Sequence, residues 1–215
     1  MNFNRRQFVG AAIAAFAGTS ANRTLAEPTV MPLLKSEPIP PTPPAERLPL
    51  LDEALAALER HGARVLDRTK IGLVDFGRPS SEPRFHLVDV AGGRIEQSWL
   101  VSHGSGSDPD ATGQLQRFSN VPGSNASSRG AYVVSSTYIG KHGRSQRVIG
   151  LDPTNSEALD RAIVIHGARY VDPSLIGSQG RIGRSQGCFA VEVGEIDRVI
   201  SRLGAGRLLY AGKSA

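Results

Sequence analysis

Glycine and proline punctuate this 215-residue chain so often, 24 and 14 times, that the apolar runs in its body stay short. Glycine weakens a helix interior through backbone entropy, and proline removes a donor and clashes with the preceding turn. What fits between such breaks is a set of short strands and turns rather than a helical bundle. Aromatic residues are few, at 6%, and the composition points to a mostly β fold. A body of about 160 residues buries about two-thirds of its unfolded surface and folds without a disulfide. The single cysteine could form none within the chain.

The N-terminus, MNFNRRQFVG, leads into an uncharged Ala- and Gly-rich stretch through Gly18 that is too short to span a bilayer comfortably. Arg5-Arg6, followed after one residue by Phe8, resembles the twin-arginine export signal, which a receptor reads. An ordinary secretory signal with two arginines in its basic region is the alternative. Cleavage is expected after Ala26, with Ala21 as second choice. Residues 1–26 are therefore expected to be an export signal that engages twin-arginine or Sec machinery and delivers the protein to the periplasm or cell envelope. Pro28 to Pro49 holds eight prolines and no periodic apolar pattern, so residues 27–49 are expected to form an extended linker. The formal charge of +5 includes Arg5, Arg6 and Arg23 of the leader, and without them +2 remains. The other basic residues are scattered among acidic ones, with no basic run interleaved with aromatics, so no nucleic-acid partner is expected.

The folded domain is expected over 50–215. LLDEALAALERH, residues 50–61, places Leu51, Leu55 and Leu58 at helical spacing, with acids in the first turn and Gly62 as a stop. Its apolar stripe is expected to dock on the domain. Short β-like runs follow at Lys70–Phe76, Arg84–Val90 and Arg94–Ser102, the last two flanking the hairpin turn Ala91-Gly92-Gly93. His103-Gly104-Ser105-Gly106-Ser107 lacks the Lys-Ser/Thr ending of a phosphate-binding loop and reads as a turn at a strand end. Phe118 to Gly130 is rich in small and hydroxyl residues and reads as loop, with the lining of a polar cleft as the alternative. Strands are expected at Ala131–Ser136, Ile163–Ile165, Phe189–Val193 and Leu208–Tyr210. Helical turns are expected at Asn155–Ala162, and a helix at Glu195–Leu203 with Ile196, Val199, Ile200 and Leu203 on one face.

A lone cysteine is ordinarily an inert core residue or a partner for another chain. Here Gly187 precedes Cys188, and Gly177, Gly180 and Gly183 open the loop before it, so a substrate carbonyl could come close. A thiol with an ordinary pKa of about 8.5 needs a base at neutral pH, and an imidazole supplies one. His61 ends a helix, His86 sits within a strand and His142 lies in a loop. His103 and His166 each end an apolar strand and precede glycine. Spacing alone leaves both open as the base, His166 being first because its segment leads into the cysteine loop.

His166-Gly167, followed by Gly183-Arg184-Ser185-Gln186-Gly187-Cys188, resembles the L,D-transpeptidase catalytic domain, in particular the murein branch related to the YkuD domain. His103-Gly-Ser-Gly, Phe118-Ser119-Asn120, Gly123-Ser124, Ser127-Ser128 and Gly150-Leu151-Asp152 are similar to further motifs of that branch, and the likeness covers about Lys70 to Tyr210. It implies a β-sandwich of mixed strands with a few short peripheral helices. It implies that Cys188 attacks the amide between the L-centre of a diamino acid and D-Ala in a peptidoglycan tetrapeptide stem. His166 would act as base and then as acid. The N–H groups of Gly187 and Cys188 would face the oxyanion. An amine of a second stem would resolve the thioester to a cross-link, and water would resolve it by hydrolysis, with no metal or organic cofactor. Ser185 would shape the loop, and Arg184 would meet a substrate carboxylate. Tyr170 would wall the cleft, and His103, Ser119 and Asn120 would contribute to substrate binding.

One departure stands out. Where many wider relatives carry arginine or asparagine shortly after the cysteine, this chain has Phe189-Ala190-Val191, so a charge that holds the substrate must come from Arg184 or from elsewhere in the fold. Competing readings are a cell-wall cysteine endopeptidase or L,D-carboxypeptidase, and a non-catalytic peptidoglycan-binding module. A zinc hydrolase built on His103, His142 and His166 lacks closely spaced ligands. The expected working unit is a monomer that engages peptidoglycan peptide stems.

Overall fold

The computed structural model describes residues 48–215. The expected export signal at 1–26 and nearly all of the linker at 27–49 lie outside the described residues. Eight strands form one mixed sheet: β1 (Lys70–Asp75), β2 (Phe85–Asp89), β3 (Arg94–Trp99), β4 (Gly130–Gly140), β5 (Gly143–Gly150), β6 (Val164–Gly167), β7 (Phe189–Val191) and β8 (Leu208–Gly212). Their order across the sheet is β3-β2-β1-β8-β4-β5-β6-β7. The β1/β8 and β6/β7 pairs are parallel and the others antiparallel. Three helices, α1 (Leu51–Arg60), α2 (Pro173–Gln179) and α3 (Ile196–Leu203), lie around it. The expected mostly β fold of mixed strands with short peripheral helices is what the structure shows. No helix among the described residues is long and apolar enough to cross a membrane.

Although β3 and β7 are opposite edges, the chain that leaves β3 runs against the chain that enters β7. Ser102 N–H donates to Ala190 O at 2.9 Å, Ser185 N–H to His103 O at 2.9 Å and Ser105 N–H to Ser185 O at 2.8 Å. The sheet thus wraps until its ends meet, enclosing one apolar cluster that draws on both halves: Val74, Leu87 and Trp99 with Tyr132, Val148, Ile165 and Phe189. The α3 stripe of Ile196, Val199, Ile200 and Leu203 seals that cluster. On the other face, α1 buries Leu51, Ala54, Ala57 and Leu58 against Ile71, Leu73, Leu208 and Tyr210, so its stripe docks on the domain.

Two elements escape the sequence reading. The strand expected at Ala131–Ser136 continues to Gly140, turns at Lys141-His142, and returns as β5. The outer half of β4 has no buried position, only a mixture of half-buried and exposed ones, so its sequence shows no apolar period. The supposed open loop of Gly177 and Gly180 is instead α2 and its C-terminal cap. Asp172 accepts from Ser174 N–H, Pro173 occupies the first turn, and Gly180 takes φ 72°. Those capping residues were visible in the sequence.

Phe189 is 1% exposed. Its ring lies against Phe76 at 6.3 Å and meets Tyr132 edge-on at 5.4 Å. Truncation leaves a cavity at the centre of the larger cluster, so Phe189→Ala should destabilise the protein by about 3–5 kcal/mol, read as a lowered urea midpoint at unchanged slope.

Candidate active site

The parallel register of β6 and β7 decides which side chains share a face. Ile165 pairs with Phe189 and His166 with Ala190. Ile165 and Phe189 point into the core, so by strand alternation their neighbours His166 and Cys188 point the other way. They lie diagonally across adjacent strands. Both line a cleft of about 620 Å³, together with Tyr138, Lys141, His142, Arg161, Tyr170 and Arg184.

The turn before Cys188 is tightly specified. Gly187 takes φ +110°, and a Cβ there would stand 2.7 Å from Ala126 O and 3.0 Å from an Arg161 nitrogen, so no larger residue fits. Ser185 Oγ donates to Cys188 O at 2.8 Å and accepts from Gly187 N–H at 3.1 Å. The Gly187 N–H, expected to face an oxyanion, is therefore committed to Ser185. The Gly-rich turn read at 103–107 packs directly against this one: a Cβ on Gly104 would lie 2.8 Å from Gly187 N and 2.2 Å from Asn125 O. Gly104 is the close-packed floor under the cysteine turn.

Cys188 is partly exposed and donates to Ala162 O at 3.7 Å. Burial pushes its thiol pKa up, opposed by the Val164 N–H and by the charges of Lys141 and Arg161. His166 is 2% exposed, and its Nδ1 lies 2.9 Å from Gly167 O. A carbonyl only accepts, so Nδ1 carries the proton and Nε2 is left with a free lone pair. Burial holds His166 below the ordinary imidazole value, and His142 and Lys141 lower it further, against the Gly167 carbonyl. Both shifts favour a neutral imidazole and a protonated thiol in this cleft over a preformed ion pair.

His142 and Lys141, at the tip of the β4–β5 hairpin, were passed over in the sequence because the hairpin itself was not visible. The ring of His142 stacks on His166, with centroids 4.1 Å apart and planes 22° apart. Arg161 was also missed, although it stands only five residues before His166. Arg184 lines the cleft while donating to Asp108 O. Tyr170 lines it too, its hydroxyl pushed up to about 12 by burial and by Cys188.

The remaining expected site residues lie elsewhere. His103, expected to contact substrate, is 1% exposed. Its Nδ1 accepts from Arg84 at 2.8 Å, and its Nε2 donates to Asp108 at 3.2 Å. With both ring nitrogens occupied and burial pulling it down to about 4, it is a structural imidazole. Asn120 donates to Pro153 O and Ser156 Oγ and accepts from Glu157 N–H. Ser119 accepts from Val121 N–H through its hydroxyl and from Arg161 through its carbonyl. These two hold the loop that faces Arg161. Among the described residues no group of three His, Cys, Asp or Glu is placed to hold a metal ion.

A family model described as the L,D-transpeptidase catalytic domain matches residues 45–211. Solved structures similar to this chain include an L,D-transpeptidase from Xylanimonas cellulosilytica, at 18% identity and TM-score 0.42, covering 74% of this chain and 69% of that one. An L,D-transpeptidase from Mycobacterium smegmatis is similar at 14% identity and TM-score 0.41, and one from Mycobacterium tuberculosis at 13% and 0.42. Each of the two covers 67% of this chain, which spans only 58% of their length. No curated protein matches the chain.

Two outcomes follow from these environments. Alkylation of Cys188 by iodoacetamide should accelerate with a midpoint above the ordinary thiol value of about 8.5; a midpoint below neutrality would instead indicate a preformed thiolate. His86 and His103 are both held near 4 by burial, whereas the unfolded chain takes up those protons near 6.5. The unfolded state thus binds more protons between these values, and stability should fall as pH drops from about 6.5 to about 4. Urea midpoints measured across that window check it.

Proposed function

Because the chain belongs to the L,D-transpeptidase catalytic-domain family, we propose that it is an exported cysteine L,D-transpeptidase acting on peptidoglycan tetrapeptide stems. The observation that carries this reading is the placement of Cys188 and the free lone pair of His166 on one face of the β6–β7 pair, at the floor of an open cleft. The export signal at 1–26 would deliver the protein to the cell envelope, and the linker at 27–49 would set the domain apart from it.

In this reading Cys188 Sγ attacks the carbonyl carbon of the diamino acid while its proton passes to His166 Nε2. The raised thiol pKa makes this a general-base step. The oxyanion meets the Cys188 N–H, since the Gly187 N–H is spent on Ser185. As the tetrahedral centre collapses, the C–N bond breaks and His166 returns the proton to the departing D-Ala amine. A thioester remains on Cys188. An amine from a second stem then attacks it, again losing its proton to His166, to give the cross-link and restore the thiol. Water in its place gives the carboxypeptidase product. His142 covers the far face of the imidazole and keeps that proton exchange directed into the cleft.

A carbapenem should acylate Cys188, adding the drug's mass in intact-protein spectrometry, and tetrapeptide stems should release D-Ala. Cys188→Ala should abolish both. His166→Ala should slow acylation by about 10²–10⁴-fold. The wild-type rate should fall on the acid side with a midpoint below about 6.5, because protonating His166 removes the base. Absence of an adduct together with absence of D-Ala release would favour a non-catalytic wall-binding module.

A further inference from the structure

We propose that Arg161 is the carboxylate anchor of the cleft, holding the free α-carboxylate of the stem's terminal residue and so confining the reaction to the last amide of the peptide. This rests on the transpeptidase reading and names the group that recognises its substrate.

Three cations line the cleft, and they are not equivalent. Arg184 donates to Asp108 O, and its charge acts on His103 in the buried network behind the loop. Lys141 stands exposed at a hairpin tip. Arg161 is fixed at two points, donating from one terminal nitrogen to Ser119 O at 2.9 Å and from the other to Ala126 O. Its guanidinium abuts Gly187, the residue before Cys188, and its charge favours the thiolate form of Cys188.

Among the described residues no protein carboxylate pairs with Arg161. A partly buried cation without a counter-ion is costly, and burial does pull this one down from its ordinary value. A guanidinium has five N–H donors in a rigid fork. Two go to the loop carbonyls, which leaves donors for an anion that arrives with the substrate. A carboxylate matches that fork and takes two of them.

The anchor is held rigidly. Ser119 N–H donates to Ser127 O at 3.0 Å, and Asn120 ties the same loop to residues 153–157. The Ser119-Asn120 motif therefore serves recognition indirectly, by aiming Arg161. It also accounts for Phe189-Ala190-Val191 after the cysteine: the positive charge stands on the approach to β6, opposite the turn, and β7 is free to be apolar.

The carboxylate next to the scissile amide on its leaving side exists only when the leaving residue is the last one. An internal bond presents a neutral amide there, which would leave the guanidinium unpaired. The anchor thus separates a terminal-residue transferase from an endopeptidase.

The test uses the full chain carrying Cys188→Ala, so that ligands bind without reacting. Its ligands are a tetrapeptide stem, the same stem amidated at its C-terminus, and one amidated only at the diamino-acid side-chain carboxylate. Calorimetry should show the free acid binding about tenfold or more tightly than the C-terminal amide, with side-chain amidation having little effect. Adding Arg161→Gln should reduce the affinity for the free acid to that for the amide and leave the amide unchanged, and Arg161→Lys should restore part of the preference. Should Arg161→Gln fail to fold, the acid-to-amide ratio in Cys188→Ala still decides. Equal affinity for acid and amide, no measurable binding of the acid, a preference that survives Arg161→Gln, or a preference set by the side-chain carboxylate would each overturn the anchor. Carbapenem acylation of the wild type reads the nucleophile separately. A retained carboxylate preference without an adduct would overturn the transpeptidase reading alone.

Discussion

The site depends on the backbone junction between Gly104 and Ser185, where the two edges of the sheet meet. Ser185 is bound on both sides by that junction, through His103 O and Ser105 N–H, and its hydroxyl then fixes Gly187 and Cys188. Closing the sheet and forming the cysteine turn are therefore coupled. Gly104 and Gly187 are obligatory because two backbones touch there with no room for a Cβ.

Behind the junction lies a buried polar network that would be a liability if any member were lost. Arg84 is fully buried and bridges Arg78 O, Val101 O and His103. His103 hands on to Asp108, which in turn accepts from Thr112 and Gly113. Burial pulls the Arg84 guanidinium down to about 9, held up by Asp75 and Asp108, so it stays charged at neutral pH. Such networks specify one arrangement when every partner is present and are expensive when one is missing. Here the arrangement specified is the path of residues 101–113, and with it the seat of the cysteine turn.

The electrostatics of the cleft run in two layers. Desolvation favours the protonated thiol and the neutral imidazole. Around them the lining is net positive, Lys141, Arg161 and Arg184 standing against Asp160. Stacking of His142 on His166 joins the layers, since protonation of either ring opposes protonation of the other.

Much of this was legible in the sequence, because local chemistry dictated it. Glycine and proline punctuation set the β class, the stripes of α1 and α3 set which faces are buried, and Gly187-Cys188 with His166-Gly167 marked the centre. Residues whose importance comes from position rather than type were not legible. His142 resembles any loop histidine until the hairpin folds its ring onto His166, and Arg161 resembles any surface arginine until Ser119 and Ala126 capture it. His103 and His166 look alike along the chain, each a strand-terminal histidine before glycine. The sequence by itself determined the kinds of elements and the kinds of reactive groups, since propensity and side-chain chemistry are local. Only the tertiary structure decided which histidine is buried with both nitrogens occupied and which keeps a free lone pair, because that follows from register and from contacts between residues far apart in the chain.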